Sequence, residues 1–273
     1  MISIEKKELN QVIKKNQLQN NDVLLLIAHI FKKNYTSIFF QQKFYFSKNE
    51  YQIFESMIAR LSKKEPLAKI VEQKEFYSLT YKTNEHTLDP RPETELLIDL
   101  FQKYFPNNKQ HLEILDLGSG TGCIGLSILA IYQNAICDFV DISKPALDIC
   151  CENARFCNLE KRATFIESNW FQNITKKYDA ILSNPPYIDE NYDLDREVLY
   201  DPQIALFAGK NGLDAYQKIL PNINSYLKNQ KIAIIEIGYD QQAQVLCINK
   251  NLKVLETRQD IHGLDRAVVF SSC

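Results

Sequence analysis

The sequence predicts an α/β fold: a mainly parallel, seven-stranded sheet with helices on both faces, preceded by a smaller helical region. Three observations carry that expectation. From about residue 112 onward, apolar runs of strand length alternate with amphipathic helical segments. None of the eight glycines precedes Gly118, and four fall between Gly118 and Gly125, where a strand gives way to a helix. Residues 1 to about 75 carry helical spacing and capping signals instead.

Taken in order, "DVLLLIAHIF" opens on Asp22, which suits an N-cap, and is apolar nearly all round. "SKNEYQIFESMIARLSKKEP" opens with Ser47 and Glu50, a capping-box pair. Its apolar residues Ile53, Phe54, Met57, Ile58 and Leu61 recur at helical spacing, and Pro66 stops the run. Between these helices "YTSIFFQQKFYF" is aromatic-rich and fits helix or strand. Phe76 to Asp89 alternates and reads as a hairpin linking the halves, with boundaries at 1–75, 76–90 and 91–273. Then follow the strands "LEILDLG", "AICDFVD", "ATFIE", "YDAILSN", "KIAIIEIG", "LKVLETR" and "RAVVFSS". "CIGLSILAIY" and "KPALDICCENARFCN" are the helices between the first three, the second with Ser143 as N-cap and Pro145 in its first turn. "DAYQKILPNINSYL" is expected to be helical but interrupted at Pro221.

Composition narrows the classes. With 273 residues, 45% hydrophobic and a net charge of −2, the chain can bury a sizeable core and lacks the basic stripe of a nucleic-acid binder. "MISIEKKELN" has no apolar signal-peptide core, and no apolar run reaches the ~18 residues of a membrane span. Seven cysteines, an odd count without C-x-x-C spacing, fit reduced thiols in a cytoplasmic protein and no metal site. His29, His86, His111 and His262 lie outside the glycine loop, its acidic partner and the Asn-Pro-Pro-Tyr exit, and read as structural or surface residues.

"LDLGSGTGC" is a strand turning through Gly118, Ser119, Gly120, Thr121 and Gly122 into a helix. Glycine there lets backbone approach a ligand. The dinucleotide fingerprint wants its third glycine one step later, where this chain has Cys123. A G-x-G-x-G loop opening after Asp116 therefore suits S-adenosylmethionine better than NAD. Asp141, at the tip of the next strand, is placed to accept both ribose hydroxyls. The third strand ends in "ESNW", beside the expected adenine position; Trp170 is the only tryptophan, and edge contact with a purine and a core role are both open.

"SNPPYI" ends the fourth strand in two prolines that cannot donate to a ladder. A rigid strand exit is one reading. The other is a pair of oxygen acceptors held open for a planar NH₂ group. Such a nitrogen is a poor nucleophile because its lone pair is delocalised. Two acceptors gripping its N–H bonds orient it toward a methyl donor and favour pyramidal geometry. The Asn184 side-chain oxygen and the Pro185 carbonyl are the candidates, with Pro186 stiffening the backbone and Tyr187 packing on the planar group.

Other segments are less specific. Arg91 to Glu95 starts a helix, and Arg91 and Thr94 are open to a pocket role as well. The long connection after Pro186 holds Asp189, Glu190, Asp193, Asp195 and Glu197 and is expected on the substrate side. Phe76 and Tyr77 either wall the pocket or pack the linker.

"LDLGSGTG", "VDIS" and "SNPPY" resemble class I S-adenosylmethionine-dependent amino-methyltransferases, whose sheet is Rossmann-like. "EPLAKIVEQKEFYSLTYKTNEHTLDPRPETELLI", with R-P-E-T-E at Arg91 to Glu95, is similar to the HemK/PrmC family, as are "DPQIALFAGKNGLDAYQKIL", "EIGYDQ" and "DIHGLDRAVVF". The likeness spans roughly residues 65 to 270. It implies methylation of the side-chain amide nitrogen (N5) of the glutamine in the Gly-Gly-Gln motif of peptide chain release factors, with S-adenosylhomocysteine as product. By the same resemblance Gly118 to Gly122, Asp141, Trp170 and Asn184 contact the cofactor, Asn184 to Tyr187 hold the glutamine, and the N-terminal helices help dock the release factor. The chain departs from the family pattern at Asn169, often Asp, and at "KNQK", often a Pro-Gly-Gly turn. Two other readings remain: a nucleic-acid amino-methyltransferase acting on adenine N6 or guanine N2, with the flipped base stacked on Tyr187, and a binding module without activity.

Overall fold

A computed structural model describes residues 1–272. Two compact units emerge, one of Met1–Glu72 with Leu194–Tyr200, the other from Gln73 to Asp193 and from Asp201 on.

The first unit runs β1 (Ile2–Glu5), α1 (Lys6–Lys15), α2 (Asn20–Phe31), α3 (Tyr35–Phe39), β2 (Lys43–Phe46), α4 (Lys48–Leu61) and α5 (Leu67–Val71). It is thus not purely helical, as the sequence led us to expect. β1 and β2 pair antiparallel, Ile2 opposite Phe46 and Ile4 opposite Phe44. The alternation in "KFYF" explains the strand: Phe44 and Phe46 are fully buried while Tyr45 faces out. Val23, Leu24, Leu26 and Ile27 of α2 complete the core around them. Asp22 is not the cap of α2. The helix begins at Asn20 after Gln19, leaving Asp22 in the first turn, where its charge suits the dipole.

The capping box of α4 forms as expected: the Glu50 amide donates to Ser47 Oγ (3.2 Å) and the Ser47 amide to Glu50 Oε2 (2.7 Å). Ser47→Ala should therefore cost about 1 kcal/mol, read as a lower denaturant midpoint with an unchanged slope.

The second unit opens with a hairpin, β3 (Gln73–Phe76) and β4 (Leu79–Lys82), that starts three residues earlier than the sequence suggested. Its two-residue turn puts Tyr77 and Ser78 at φ 46° and 64°, the pair of left-handed residues a type I′ turn needs. Tyr77 tolerates this because α6 (Glu95–Tyr104) anchors it. Its amide donates to Glu95 Oε1 (2.8 Å) and its hydroxyl to Asp99 Oδ1 (2.9 Å). Phe76 is buried in the core, so both residues pack the linker rather than wall a pocket.

β5 (Glu113–Leu117), α7 (Cys123–Ile131), β6 (Ile136–Asp141), α8 (Lys144–Phe156), β7 (Ala163–Glu167) and β8 (Tyr178–Ser183) follow. After them come α9 (Asp214–Tyr226), β9 (Leu227–Glu236), α10 (Gln242–Ile248), β10 (Lys253–Gln259) and β11 (Asp265–Ser271). The sheet order is β10-β11-β9-β8-β5-β6-β7, parallel except for β11, which is antiparallel to both neighbours. Alternate residues of the central strands feed two cores on opposite faces, Ile114 to one and Leu115 to the other. The chain goes from β5 outward to β6 and β7, then returns to β8 on the other side of β5. This reversal opens a crevice at the carboxyl ends of β5 and β8.

α9 passes through Pro221 without a break. Pro221 faces solvent, and the Asn222 side chain donates to the Lys218 carbonyl (2.8 Å) beside it. A lost ladder bond on the wet side bends a helix without ending it, while Tyr216, Ile219, Leu220 and Ile223 hold the inner face. The "KNQK" stretch is an irregularity within β9, with Gln230 at φ 57° and a register shift against β8. α10 had no periodic signal long enough to announce it. No helix among the described residues is long and apolar enough to cross a membrane.

Candidate active site

The strand-to-helix turn after β5 carries three residues in left-handed conformation, Gly118, Gly120 and Gly122 at φ 74°, 52° and 78°. The amides of Gly118 and Ser119 both donate to the Val140 carbonyl (2.8 and 2.9 Å), so the loop is stitched to the end of β6. Gly120 donates to Asp141 Oδ2 (2.9 Å), and Ser143 donates to Asp141 Oδ1 (2.9 Å). Asp141 therefore couples the glycine loop to the start of α8. Burial raises its pKa, while these backbone amides pull it down.

The glycines differ in what they permit. A methyl group on Gly120 would meet nothing within 4 Å; one on Gly122 would collide with Cys150 Sγ and crowd Leu126. Gly122 caps α7 and does not line the cavity, so its role is packing rather than ligand contact. Gly122→Ala should lower unfolding free energy by about 2 kcal/mol through overpacking and left-handed strain, visible as a drop in melting temperature.

A cavity of about 310 Å³ opens on this loop. Gly118, Ser119, Gly120, Thr121, Asp141, Trp170, Asn184 and Pro186 line it, together with Arg91 and Thr94. Trp170 stands at φ 53°, and its ring reaches the Cα side of Gly118, where an added Cβ would lie 3.5 Å from Cζ3. Ser168 holds the turn, accepting from Asn173 N (3.0 Å) and donating to the Trp170 carbonyl (2.9 Å). Trp170 is only partly buried, which leaves ring surface for the cavity. Asp116, at the end of β5, is fully buried; Oδ2 accepts from the Gly125 amide (2.9 Å) and Oδ1 has no partner among the described residues. Burial pushes its pKa up to about 7.

The strand exit at β8 is the second wall. Asn184 Nδ2 donates to Thr94 Oγ1 (3.0 Å), and Thr94 Oγ1 donates to Glu236 Oε2 (2.7 Å). Among the described residues no hydrogen bond ends on Asn184 Oδ1 or on the Pro185 carbonyl. Pro185 is itself buried and outside the cavity lining, and Tyr187 turns its hydroxyl toward Glu236 Oε1 (3.3 Å). The corner's backbone is held from behind: Gln241 Nε2 donates to the Tyr187 carbonyl (2.9 Å), and Gly212, at φ 65°, passes too close to that carbonyl for any side chain.

Of the two open residues in the R-P-E-T-E run, Thr94 joins Asn184, whereas Arg91 pairs with the buried Asp201. In the acidic connection, Asp189 accepts from Asn191 N (2.7 Å) and Asn211 N (2.9 Å), which depresses its pKa and closes the loop on itself. Sequence reasoning missed that Pro202, Ile204, Ala205 and Phe207 line the cavity. It also missed Glu236, although a carboxylate inside "KIAIIEIG" is a signal in itself, since buried charges need partners.

The chain matches the PrmC N-terminal domain over residues 7–71 and the Methyltransferase small domain over residues 86–201. It is 39% identical to the release factor glutamine methyltransferase of Lactococcus lactis, over 80% of this chain and 82% of that one. It is 35% identical, over 90% of its length, to a bifunctional methyltransferase of Rickettsia conorii, but covers 53% of that protein; the chain spans about half the length of such bifunctional relatives. Among solved structures, the catalytic domain of hMettl16 superposes with a TM-score of 0.56 at 14% identity, over 83% of this chain and 82% of that one, a likeness of fold alone. The chain belongs to the HemK/PrmC family of class I methyltransferases.

Proposed function

We propose that this protein transfers a methyl group from S-adenosylmethionine to the side-chain amide nitrogen (N5) of the glutamine in the Gly-Gly-Gln motif of peptide chain release factors. The observation that carries the reading is the free Oδ1 of Asn184, beside a glycine loop and Asp141 in one cavity. The naming of a relative as a release factor glutamine methyltransferase supports the substrate.

The residues present fit the cofactor. Gly120 leaves open space above the loop, and Asp141 keeps lone pairs for two ribose hydroxyls. Trp170 offers a flat apolar surface for the adenine. The cofactor supplies an electrophilic methyl on a sulfonium, which is released as S-adenosylhomocysteine.

The protein's own part is orientation. Asn184 Oδ1 accepts one N–H of the glutamine amide, and the Pro185 carbonyl is the proposed acceptor of the other. Held this way, the nitrogen presents its lone pair to the methyl. As the N–C bond forms and the S–C pair returns to sulfur, the nitrogen turns positive, and both acceptors hold its hydrogens more strongly. One of those protons then passes to solvent. No general base is needed to begin, because the amide attacks neutral. The first unit is proposed to help dock the release factor.

Incubation with labelled S-adenosylmethionine and either a release factor or DNA tests the assignment. Label in the release factor, absent when its glutamine is changed to alanine, is expected. Label in DNA and none in the release factor would overturn it in favour of a nucleic-acid amino-methyltransferase.

A further inference from the structure

We propose that Thr94 and Glu236 are positioning residues that decide which end of the Asn184 amide faces the cavity. The inference rests on the reading of Asn184 as the acceptor for a substrate amide and adds the reason its oxygen, rather than its NH₂, is presented.

Hydrogen-bond polarity sets the choice. An ionised carboxylate can only accept, so Glu236 takes the single hydroxyl proton of Thr94 at Oε2, 2.7 Å away. Thr94 Oγ1 is left with lone pairs alone. Whatever bonds to it next must donate, and Asn184 does so through Nδ2 at 3.0 Å. With Nδ2 turned to Thr94, Oδ1 is the end left without an internal partner, on a residue that lines the cavity. Reverse the chain and the amide must flip: a Thr94 hydroxyl released from Glu236 donates to Asn184 Oδ1, and two N–H groups then confront the N–H groups of the substrate. Nothing in Asn184 itself selects between these orientations, since the two ends of an amide are nearly the same shape. Thr94 is 2% exposed and Glu236 1% exposed, so the low local dielectric strengthens their hydrogen bond and its polarity.

Glu236 can therefore switch the chain. Burial pushes its pKa up to about 7, against the Thr94 hydrogen bond, the Arg266 charge and the Tyr187 hydrogen bond, and with the Glu93 charge adding to the rise. The other groups facing it are the buried Cys123 thiol and the Tyr216 hydroxyl, which donates to its backbone carbonyl (3.2 Å). The Arg266 guanidinium is held by Asp260 Oδ2 at 3.0 Å and stays charged throughout. Above neutrality Glu236 is an acceptor only and Asn184 is set correctly. Below it, a protonated Glu236 donates to Thr94 and the polarity reverses.

The test uses the full chain and two independent readouts. In the protein without substrate, the Asn184 side-chain NH₂ resonances, assigned by their loss in Asn184→Ala, should shift with pH around a midpoint near 7 in wild type and stay flat in Glu236→Gln. A flat wild-type profile, or one that persists in Glu236→Gln, overturns the proposal whatever the substrate proves to be. In turnover at saturating cofactor, Thr94→Val should lower the methyl-transfer rate about 100-fold, as for loss of one preorganised group, with cofactor affinity unchanged. Thr94→Ser, which keeps the hydroxyl, should recover most of that loss. Glu236→Gln should lose the decline of rate below neutral pH. If Thr94→Val turns over like wild type, the positioning role is wrong while the assignment of function stands. If wild type methylates no release factor, the assignment fails and the resonance experiment still decides the polarity.

Discussion

Asn184→Ala should lower the rate of methyl transfer about 1,000-fold, the scale seen when a preorganised charge-stabilising group is removed from a transition state. The side chain is partly exposed at a strand end, and its one internal bond is the Nδ2 donation to Thr94 Oγ1. Its removal leaves Thr94 still paired with Glu236, so folding loses about 1 kcal/mol. Cofactor affinity should stay within a few-fold, because the glycine loop and Asp141 are untouched. The effect should fall on the rate at saturation rather than on half-saturation, since the acceptor matters most as the nitrogen turns positive. Single-turnover transfer from labelled cofactor, paired with calorimetric cofactor binding, separates the two quantities. A rate within tenfold of wild type would remove Asn184 from the mechanism.

The residues in that prediction were legible in very different degrees. The glycine loop, Asp141 and the Asn-Pro-Pro-Tyr exit are local signals. Each is a strand followed by residues whose backbone demands, positive φ or fixed φ, are written in their own identities. The same holds for the capping box at Ser47 and Glu50 and for the alternation of strands and helices in the second unit. What escaped is long-range. Asn184 meets Thr94 across 90 positions and Thr94 meets Glu236 across 142, and no spacing rule links them. The β1–β2 pair, Ile4 against Phe44, failed to announce itself for the same reason: a four-residue strand is ambiguous until its partner is known. Pro221 misled in the other direction. A local rule against proline in helices yielded to packing, because its face of α9 is wet and the opposite face is bound into the core. Gly122 marks a further limit. Motif membership gathers residues that share a turn, but the fold sends some of them to the cavity and others to the packing behind it.

Asp141→Ala should weaken cofactor binding about 100-fold, the sum of two lost hydrogen bonds to a charged acceptor at roughly 1.5 kcal/mol each. Its carboxylate already accepts Gly120 N through Oδ2 and Ser143 N through Oδ1, each at 2.9 Å. Each oxygen keeps a second lone pair, so these bonds aim the carboxylate rather than exhaust it. Asp141→Asn is the sharper variant. An amide has one oxygen, so its NH₂ must point at either the Gly120 or the Ser143 amide, donor against donor. The near-isosteric change should therefore bind cofactor almost as poorly as alanine, whereas an acidic role based on size alone would leave it close to wild type. Both variants should approach the wild-type transfer rate once cofactor saturates, because Asn184 is held by Thr94 and shares no hydrogen bond with Asp141 or its partners Gly120 and Ser143. Calorimetry gives the affinities and single-turnover assays at high cofactor give the rates. Unchanged affinity in Asp141→Ala would move the ribose elsewhere in the cavity. A lost rate at saturation would mean that the bond to Gly120 shapes the methyl's approach as well as the cofactor's hold.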